Sequence, residues 1–331
     1  METKSRQARA NPRGWAELVL PYLRPADLAS IALTCKSLYE ISKSVTKLRA
    51  SDASGGLEKN PIPFFNSLDN QLYSYFIYSP CSVLPSLSRA RQPWGEIRNS
   101  HENGTVIRPF EAAASMAGID SGCDCGVCYK DGSQGCPCSL DGLTEVMTEC
   151  GMSCNCELDC ANRLTQRGVS VRLKIVKDKS KGWGLYANQF IQSGKFVCEY
   201  AGELLTTKEA RLRQQKYDQL ISKRKLLSSA LLVVREHLPS GKACLRVNID
   251  ATIVGNIARF INHSCAGGNL STILVRSTGA LLPRLCFFSA RDILEGEELC
   301  FKYGDVIANP NGQPCCCGSK TCLGVLPSET T

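Results

Sequence analysis

The chain has 331 residues, 43% of them hydrophobic and 21% charged, so it can bury a sizeable core and form two or three domains. The first six residues are charged and predict no secretory signal, and the longest uncharged run, residues 70–88, is interrupted by Pro80 and Pro85. This composition predicts no membrane span and no membrane partner. Twenty cysteines in a chain without a predicted signal peptide argue against a disulfide framework and for metal binding.

Residues 1–50 are predicted to form a small helical segment. Pro25 suits a first helical turn, and five side chains share one face at helical spacing: Leu28, Ile31, Ala32, Cys35 and Leu38. The sequence of residues 18–38 resembles an F-box, a family whose helices dock on a Skp-type adaptor of a ubiquitin ligase. The resemblance implies an adaptor site within residues 15–45. The alternative is an ordinary helical hairpin packed on the next domain.

Residues 51–104 are rich in serine, proline and asparagine and show little periodicity, which predicts a linker with loops. A few aromatic side chains are expected to anchor it: Phe64, Phe65, Tyr73, Tyr75 and Phe76.

A cysteine-rich block lies within residues 105–163. Its nine cysteines are Cys123, Cys125, Cys128, Cys136, Cys138, Cys150, Cys154, Cys156 and Cys160. Because the intervening residues are rich in glycine and aspartate, metal must supply the folding energy. Three separate zinc ions would need twelve thiolates, whereas three ions that share three bridging sulfurs need nine. The number therefore fits a triangular three-zinc cluster better than two independent sites, which would leave one thiol over, or a reduced cysteine-rich loop.

The alternation of residues after residue 163 predicts β structure. Strands are expected at residues 169–176, 184–187, 195–200, 245–249, 273–277, 285–289 and 298–303. Residues 206–227 predict a helix with seven basic side chains, which indicates a solvated face or, as a second choice, a contact with DNA phosphates. The tail adds Cys315, Cys317 and Cys322, three metal ligands without a fourth.

Six motifs in order carry a family resemblance. They are the nine-cysteine block, residues 181–184 (Lys-Gly-Trp-Gly), 199–203 (Glu-Tyr-Ala-Gly-Glu), 262–265 (Asn-His-Ser-Cys), 301–304 (Phe-Lys-Tyr-Gly) and the three tail cysteines. Residues 123–323 thereby resemble a SET-domain lysine methyltransferase of the suppressor-of-variegation class, most like the short plant suppressor-of-variegation-related proteins. The resemblance implies a mostly β, α+β SET fold with small sheets and a pseudoknot over residues 169–304. Zinc modules, called pre-SET and post-SET, would flank it at residues 105–163 and 311–327.

The resemblance also implies roles for the cysteines. Cys123, Cys128 and Cys150 would bridge the pre-SET zinc ions, and Cys265 would be the fourth post-SET ligand beside Cys315, Cys317 and Cys322. Four zinc ions are then expected. Thirteen bound thiolates and four zinc ions would lower the formal charge of +8 to +3.

The active-site roles follow from the same resemblance. Lys181, Gly182, Trp183, Asn262, His263 and Tyr303 would bind S-adenosylmethionine, the glycine by letting the ligand approach the main chain. Tyr303 would direct its hydroxyl at the substrate amine, while Tyr200 and Phe301 line the lysine channel. One departure stands out: where the family usually has Tyr-Leu-Phe-Asp-Leu, residues 230–234 read Ala-Leu-Leu-Val-Val.

The expected function is methylation of a histone H3 lysine, most simply lysine 9 to the dimethyl or trimethyl state, on nucleosomes in the nucleus. The alternatives are a non-catalytic zinc scaffold or an F-box adaptor, and a nucleic-acid binder that uses the basic helix. Retention of Tyr303, Asn262, His263 and the tail cysteines favours the enzyme. The +3 charge disfavours the nucleic-acid binder.

Overall fold

A computed structural model describes residues 12–85, 122–126, 128, 136–138, 146–223, 228–237, 244–304 and 313–327. Its α-helices are α1 (Pro12–Val19), α2 (Pro25–Ala32), α3 (Lys36–Ser51) and α4 (Thr207–Ser222). Its strands are β1 (Phe64–Phe65), β2 (Ile77–Tyr78), β3 (Val146–Glu149), β4 (Leu173–Asp178), β5 (Gly182–Ala187), β6 (Phe196–Glu199), β7 (Gly202–Leu205), β8 (Leu231–His237), β9 (Cys244–Gly255), β10 (Asn262–His263), β11 (Leu270–Ser277), β12 (Arg284–Ser289) and β13 (Cys300–Phe301). The predicted mostly β, α+β class is confirmed.

The strands form four small sheets around one main core. Their orders are β1-β4-β5, β2-β9-β7 with β8 paired to β9, β3-β11-β12-β6, and the parallel pair β10-β13. Alternation along β4 buries Leu173 and Ile175 and leaves Lys174 between them only partly buried. The core combines these residues with Phe287 of β12, Ile249 of β9 and Phe301 of β13, so it joins all four sheets.

Residues 51–85 differ from the predicted linker. Phe64 pairs with Ile175 of β4, and Ile77 pairs in parallel with Val254 of β9. Ile62 and Phe64 are buried in the main core, although Phe65 is half exposed. A strand of two residues is too short to show the alternation that predicts a strand. Each of these strands forms only because it pairs with a strand that lies far along the chain. Residues 86–104 lie outside the described residues.

The N-terminal helices form a separate small core. Ala16, Leu20, Leu28, Ile41 and Val45 are buried together. Arg49 of α3 donates from Nη2 to the Leu23 carbonyl at 2.6 Å and from Nη1 to the Tyr73 hydroxyl at 3.1 Å. Of the segment predicted to be helical, residues 1–50, the structure describes residues 12–50, which are mostly helical, and residues 1–11 lie outside the described residues. The helices are tied to the segment that follows.

Helix α4 is capped by Thr206, whose hydroxyl accepts from the Glu209 N–H at 3.2 Å. Arg213 belongs to the basic run but lies inward, paired with Glu203 and, at 2.8 Å, with Asp250. The predicted basic face is therefore smaller than the sequence indicated. None of the described helices combines the length and apolar character needed to cross a bilayer.

Candidate active site and metal centres

The three cysteines expected to bridge lie together. Their sulfur atoms are 3.9 Å apart for Cys123 and Cys128, 3.9 Å for Cys123 and Cys150, and 3.8 Å for Cys128 and Cys150. Two thiolates bound to one tetrahedral zinc at about 2.3 Å lie about 3.8 Å apart. This triangle therefore has the spacing of sulfurs that share metal ions in pairs.

The remaining thiols extend the triangle. Cys125 and Cys136 complete a four-sulfur group with Cys123 and Cys128, and Cys138 and Cys154 complete another with Cys123 and Cys150. Cys156 approaches all three central sulfurs, and Cys160 is buried in the same cluster. All twenty cysteines lie in the described part of the chain, and none of them forms a disulfide. Nine reduced thiols packed in this way suit a shared-sulfur zinc cluster.

The tail thiols come together with the thiol of the Asn-His-Ser-Cys segment. Sulfur atoms of Cys265, Cys315, Cys317 and Cys322 all lie within 4.8 Å of one another, and Cys265 is 3.8 Å from Cys315. A tetrahedral four-thiolate set of this kind suits a structural zinc ion. Cys265 is thus in position to be the fourth ligand that the tail lacks.

His263 links this metal centre to Tyr303. Its Nδ1 accepts from the Tyr303 backbone N–H at 3.2 Å, so Nε2 carries the ring proton and faces the Cys265 sulfur, also at 3.2 Å. Burial, with a smaller effect of Lys302, lowers the pKa of His263 and favours the neutral ring. Because both ring nitrogens are engaged within the protein, the main chain of His263 is the part of this residue left for a cofactor.

The Lys-Gly-Trp-Gly motif forms the start of β5. Gly182 has a φ of 78°, a left-handed conformation that favours glycine. The Trp183 ring packs edge-on against Phe64, with 5.3 Å between ring centroids, and its buried Nε1–H has no partner in the described residues. A buried donor without a partner beside an open glycine fits a site completed by a ligand.

Asn262 faces the same motif. Its amide nitrogen donates to Glu298 Oε1 at 2.8 Å and approaches the Trp183 carbonyl at 3.5 Å. Lys181 Nζ donates to the other Glu298 oxygen at 2.6 Å, so the Lys181 side chain is held by the protein. The side-chain oxygen (Oδ1) of Asn262 has no partner among the described residues and suits the ammonium group of an amino-acid ligand. These features fit S-adenosylmethionine.

Tyr303 and Phe301 share one face of the chain, as expected for residues two apart. Their ring centroids are 4.8 Å apart, and Phe301 also packs on Phe287 at 4.8 Å. The Tyr303 hydroxyl donates to the Ile261 carbonyl at 2.7 Å. Desolvation raises the pKa of Tyr303 far above its usual value, so the hydroxyl stays neutral and acts as a hydrogen-bonding group and not as a base.

Tyr200 lies in the core, where its hydroxyl donates to the Ala230 carbonyl at 2.8 Å. Burial raises the pKa of Tyr200, which keeps this phenol neutral as well. At residue 230 the chain therefore offers a carbonyl and a methyl group beside Tyr200, where the family's aromatic residue was expected. The departure noted in the sequence leaves an alanine methyl group, and no aromatic ring, at residue 230 beside Tyr200.

Sequence reasoning missed Glu298 and the aromatic support of the site. Glu298 follows Glu295 and Glu297, a pattern that resembles a solvated acidic turn. Phe76 packs on Phe260 with 5.5 Å between centroids, and both rings flank the Arg259 guanidinium. No local signal could show that residue 76 lies against the segment before Asn262.

Comparisons with known proteins agree with this geometry. Residues 182–304 match the SET domain family. The chain is 55% identical over 328 residues to the histone-lysine N-methyltransferase SUVR3 of Arabidopsis thaliana, an alignment that covers 96% of this chain and 91% of that protein.

Two further likenesses bear on the ligands, one to SUVH6 of Arabidopsis thaliana and one to KRYPTONITE. The H3 lysine-9 specific methyltransferase SUVH6 is 30% identical over 86% of this chain and 38% of its own length. Its solved complex with SAM has a TM-score of 0.58 and 28% identity, covering 87% of this chain and 59% of that one. KRYPTONITE in complex with mCHH DNA, an H3(1-15) peptide and SAH has a TM-score of 0.57 and 26% identity, covering 82% of this chain and 52% of that one.

Proposed function

The chain belongs to the SET-domain histone-lysine methyltransferases of the suppressor-of-variegation class, which use S-adenosylmethionine, and we propose that it methylates lysine 9 of histone H3 on nucleosomes in the nucleus. Two likenesses support the finer choice of substrate. SUVH6 is named for H3 lysine 9, and KRYPTONITE was solved with an H3 peptide.

The observation that carries the proposal is the meeting of the cofactor motif with the tyrosine motif. Asn262 lies on β10, its backbone pairs with β13, and its side chain reaches the Trp183 carbonyl of β5. Tyr303 follows β13 and bonds back to the Ile261 carbonyl beside Asn262. One strand pair thus brings the Asn262 side chain and the Tyr303 phenol close to each other, which supports the proposal.

The substrate amine determines what the protein must do. A free lysine has a pKa of about 10.4, so its neutral form costs about 4 to 5 kcal/mol at neutral pH. Bound S-adenosylmethionine supplies an activated methyl group and a cation. The channel walls of Tyr200, Phe301 and Tyr303 desolvate the lysine and lower its pKa. Alignment by the same walls can supply about 7–11 kcal/mol of the barrier reduction.

The test is methyl transfer from labelled cofactor to recombinant nucleosomes and to H3 peptides with single lysine-to-arginine changes. We expect transfer that disappears with the lysine 9 change and with Tyr303→Phe in the enzyme. Transfer that survives the lysine 9 change but disappears with a change elsewhere would replace the substrate assignment and keep the reaction class.

A second role is favoured by the surface of the N-terminal helices. Leu18 and Leu33 are 73% and 88% exposed beside a bundle that already has its own core. We propose that residues 15–45 bind a Skp-type adaptor. Leu18→Asp with Leu33→Asp should abolish capture of a purified adaptor, whereas Leu20 is fully buried and a change there would test folding only. An adaptor that fails to bind the unmodified protein would leave these helices as packing for the segment around Tyr73.

A further inference from the structure

Glu298 stands between the two halves of the cofactor site. Its Oε2 accepts from Lys181 Nζ at 2.6 Å, and its Oε1 accepts from Asn262 Nδ2 at 2.8 Å. The side chains of Lys181 and Glu298 are 20% and 15% exposed, so the pair is largely shielded from water. A single carboxylate therefore connects the Lys-Gly-Trp-Gly motif with the Asn-His-Ser-Cys segment.

The backbone around Glu298 is fixed on both sides. Its carbonyl accepts from the Asn269 amide at 2.9 Å, and the next residue, Leu299, donates to the Leu185 carbonyl of β5 at 2.7 Å. Gly184 leaves the room that the pair needs, because a Cβ there would lie 3.0 Å from both Asn262 Nδ2 and Glu298 Oε1. The second glycine of the motif thus faces this hydrogen bond.

The carboxylate decides which way the Asn262 carboxamide is turned. A carboxylate has acceptors only, so it can bond the amide nitrogen but not the amide oxygen. The Trp183 carbonyl at 3.5 Å favours the same orientation. With its nitrogen directed to these acceptors, Asn262 keeps its oxygen for a donor from outside the described residues.

Lys181 and Glu298 form an ion pair that leaves no net charge at the site. Burial opposes ionisation of the lysine, but the hydrogen bond and charge of Glu298 outweigh it and raise the pKa of Lys181. The ion pair is neutral as a unit. The recognition of a cationic ammonium group then depends on the orientation of Asn262 and not on direct attraction by Glu298.

We propose that Glu298 is a positioning residue for S-adenosylmethionine, which it serves by holding the Asn262 oxygen towards the ammonium group of the cofactor's amino-acid part. This inference rests on the proposed cofactor site. It assigns Glu298 no contact with the transferred methyl group.

The first variant is Glu298→Gln, which keeps the shape and removes the charge. The Lys181 ammonium needs the oxygen of the new amide, so the NH₂ of that amide faces Asn262 and turns the Asn262 oxygen away from the cofactor. We expect KM for S-adenosylmethionine to rise roughly 10- to 100-fold, the effect of one charge-assisted hydrogen bond, with kcat within about three-fold. The matched control is Glu297→Gln, since Glu297 pairs with the exposed Arg291 at 2.7 Å and should leave KM unchanged.

Ligand binding separates positioning from general damage. S-adenosylhomocysteine carries the amino-acid part and 5′-methylthioadenosine does not. Calorimetry should therefore show weakened binding of the first and unchanged binding of the second by Glu298→Gln, at unchanged zinc content and melting temperature. Equal weakening of both ligands would overturn the proposal.

A pair exchange gives an independent measurement. Asn262→Asp alone sets two carboxylates against each other and should also weaken S-adenosylhomocysteine selectively, so it carries the test if Glu298→Gln unfolds. Asn262→Asp combined with Glu298→Gln restores a donor–acceptor pair and should bind S-adenosylhomocysteine more tightly than Asn262→Asp alone. Purely additive losses would overturn the proposal. If the unmodified protein bound no S-adenosylhomocysteine, the proposed cofactor site itself would be ruled out. If the unmodified protein bound this ligand and Glu298→Gln bound it as tightly as Glu297→Gln, only the role of Glu298 would be ruled out.

Discussion

The two cysteine clusters differ most clearly in their burial. In the pre-SET cluster eight of the nine cysteines are less than a tenth exposed, and Cys150 is completely buried. The four post-SET thiols are all only partly buried, and two of them flank the exposed Cys316. The first cluster takes the place of a hydrophobic core, whereas the second closes the surface of the active site.

Their connections to the proposed catalytic residues, Tyr200 and Tyr303, differ in the same way. Glu149, beside Cys150, accepts from Arg284 at 3.1 Å, and Arg284 also pairs at 3.3 Å with Glu199, beside Tyr200. This path is a buried ion-pair network inside a sheet. The post-SET path runs from Cys265 through the His263 ring to the Tyr303 backbone. Loss of the first should therefore damage the fold, and loss of the second should damage catalysis.

The largest effect is expected from Cys150→Ser. Cys150 belongs to two of the four-sulfur groups, and structural zinc binding is worth about 10–16 kcal/mol in small domains. We expect insoluble or molten protein that has lost all three pre-SET ions, measured by elemental analysis and circular dichroism. The control is Cys316→Ser, an exposed thiol outside all four of the four-sulfur groups. A folded Cys150→Ser protein that retained close to four zinc ions would contradict the shared-sulfur cluster.

A smaller but selective loss is expected from Cys265→Ser. The variant should lose one zinc ion and, because the His263 ring then lacks its fixed partner, lower methyl transfer roughly 100-fold or more. The melting temperature should change little and the pre-SET ions should stay. If activity survived with one zinc ion gone, Tyr303 would not depend on the post-SET centre.

Metal removal should separate the two clusters in time. A mild chelator should take the ion held by the partly buried post-SET thiols before it reaches the buried pre-SET sulfurs. Activity should thus disappear with the first equivalent of zinc released while the far-ultraviolet circular dichroism is unchanged, and zinc should restore it. Simultaneous release of all ions would remove the distinction between the clusters.

The sequence predicted the site further than it predicted the packing. Cysteine spacing and six ordered motifs were enough to predict which sulfur atoms lie together and most strands of the catalytic domain, because zinc coordination and strand alternation leave local patterns. Strands β7, β8 and β10 were not predicted. The contribution of residues 51–85 left no such pattern. Phe64 is buried because β4 and Trp183 lie against it, and both come from over a hundred residues later.

Side-chain orientation was also beyond the sequence. His263 was expected to hold the cofactor with main-chain help, and the partners of its ring, the Tyr303 N–H and the Cys265 sulfur, came to light only in the structure. Glu298 looked like one of several surface acids until its two partners were known. In both cases the role depends on which atoms meet across three or more chain segments.

The smallest effect is expected from Phe301→Tyr, which should change the methylation product without changing zinc binding. Phe301 is 4% exposed and contacts Phe287 and Tyr303. A change at this residue removes none of the cysteines in the four-sulfur groups. In SET enzymes this position is expected to control hydration of the lysine channel: a tyrosine hydroxyl would hold an ordered water where a methylated amine needs space, and displacement of one such water costs about 0–2 kcal/mol. The unmodified enzyme should therefore give mainly dimethyl product with some trimethyl, since Ala230 leaves the wall of the lysine channel less complete.

Phe301→Tyr should shift the product to monomethyl, keep the rate of the first methylation within about ten-fold and leave the zinc content unchanged. The products are followed by mass spectrometry under excess cofactor. Monomethyl product alone from the unmodified enzyme would show that Phe301 does not set the number of methyl groups.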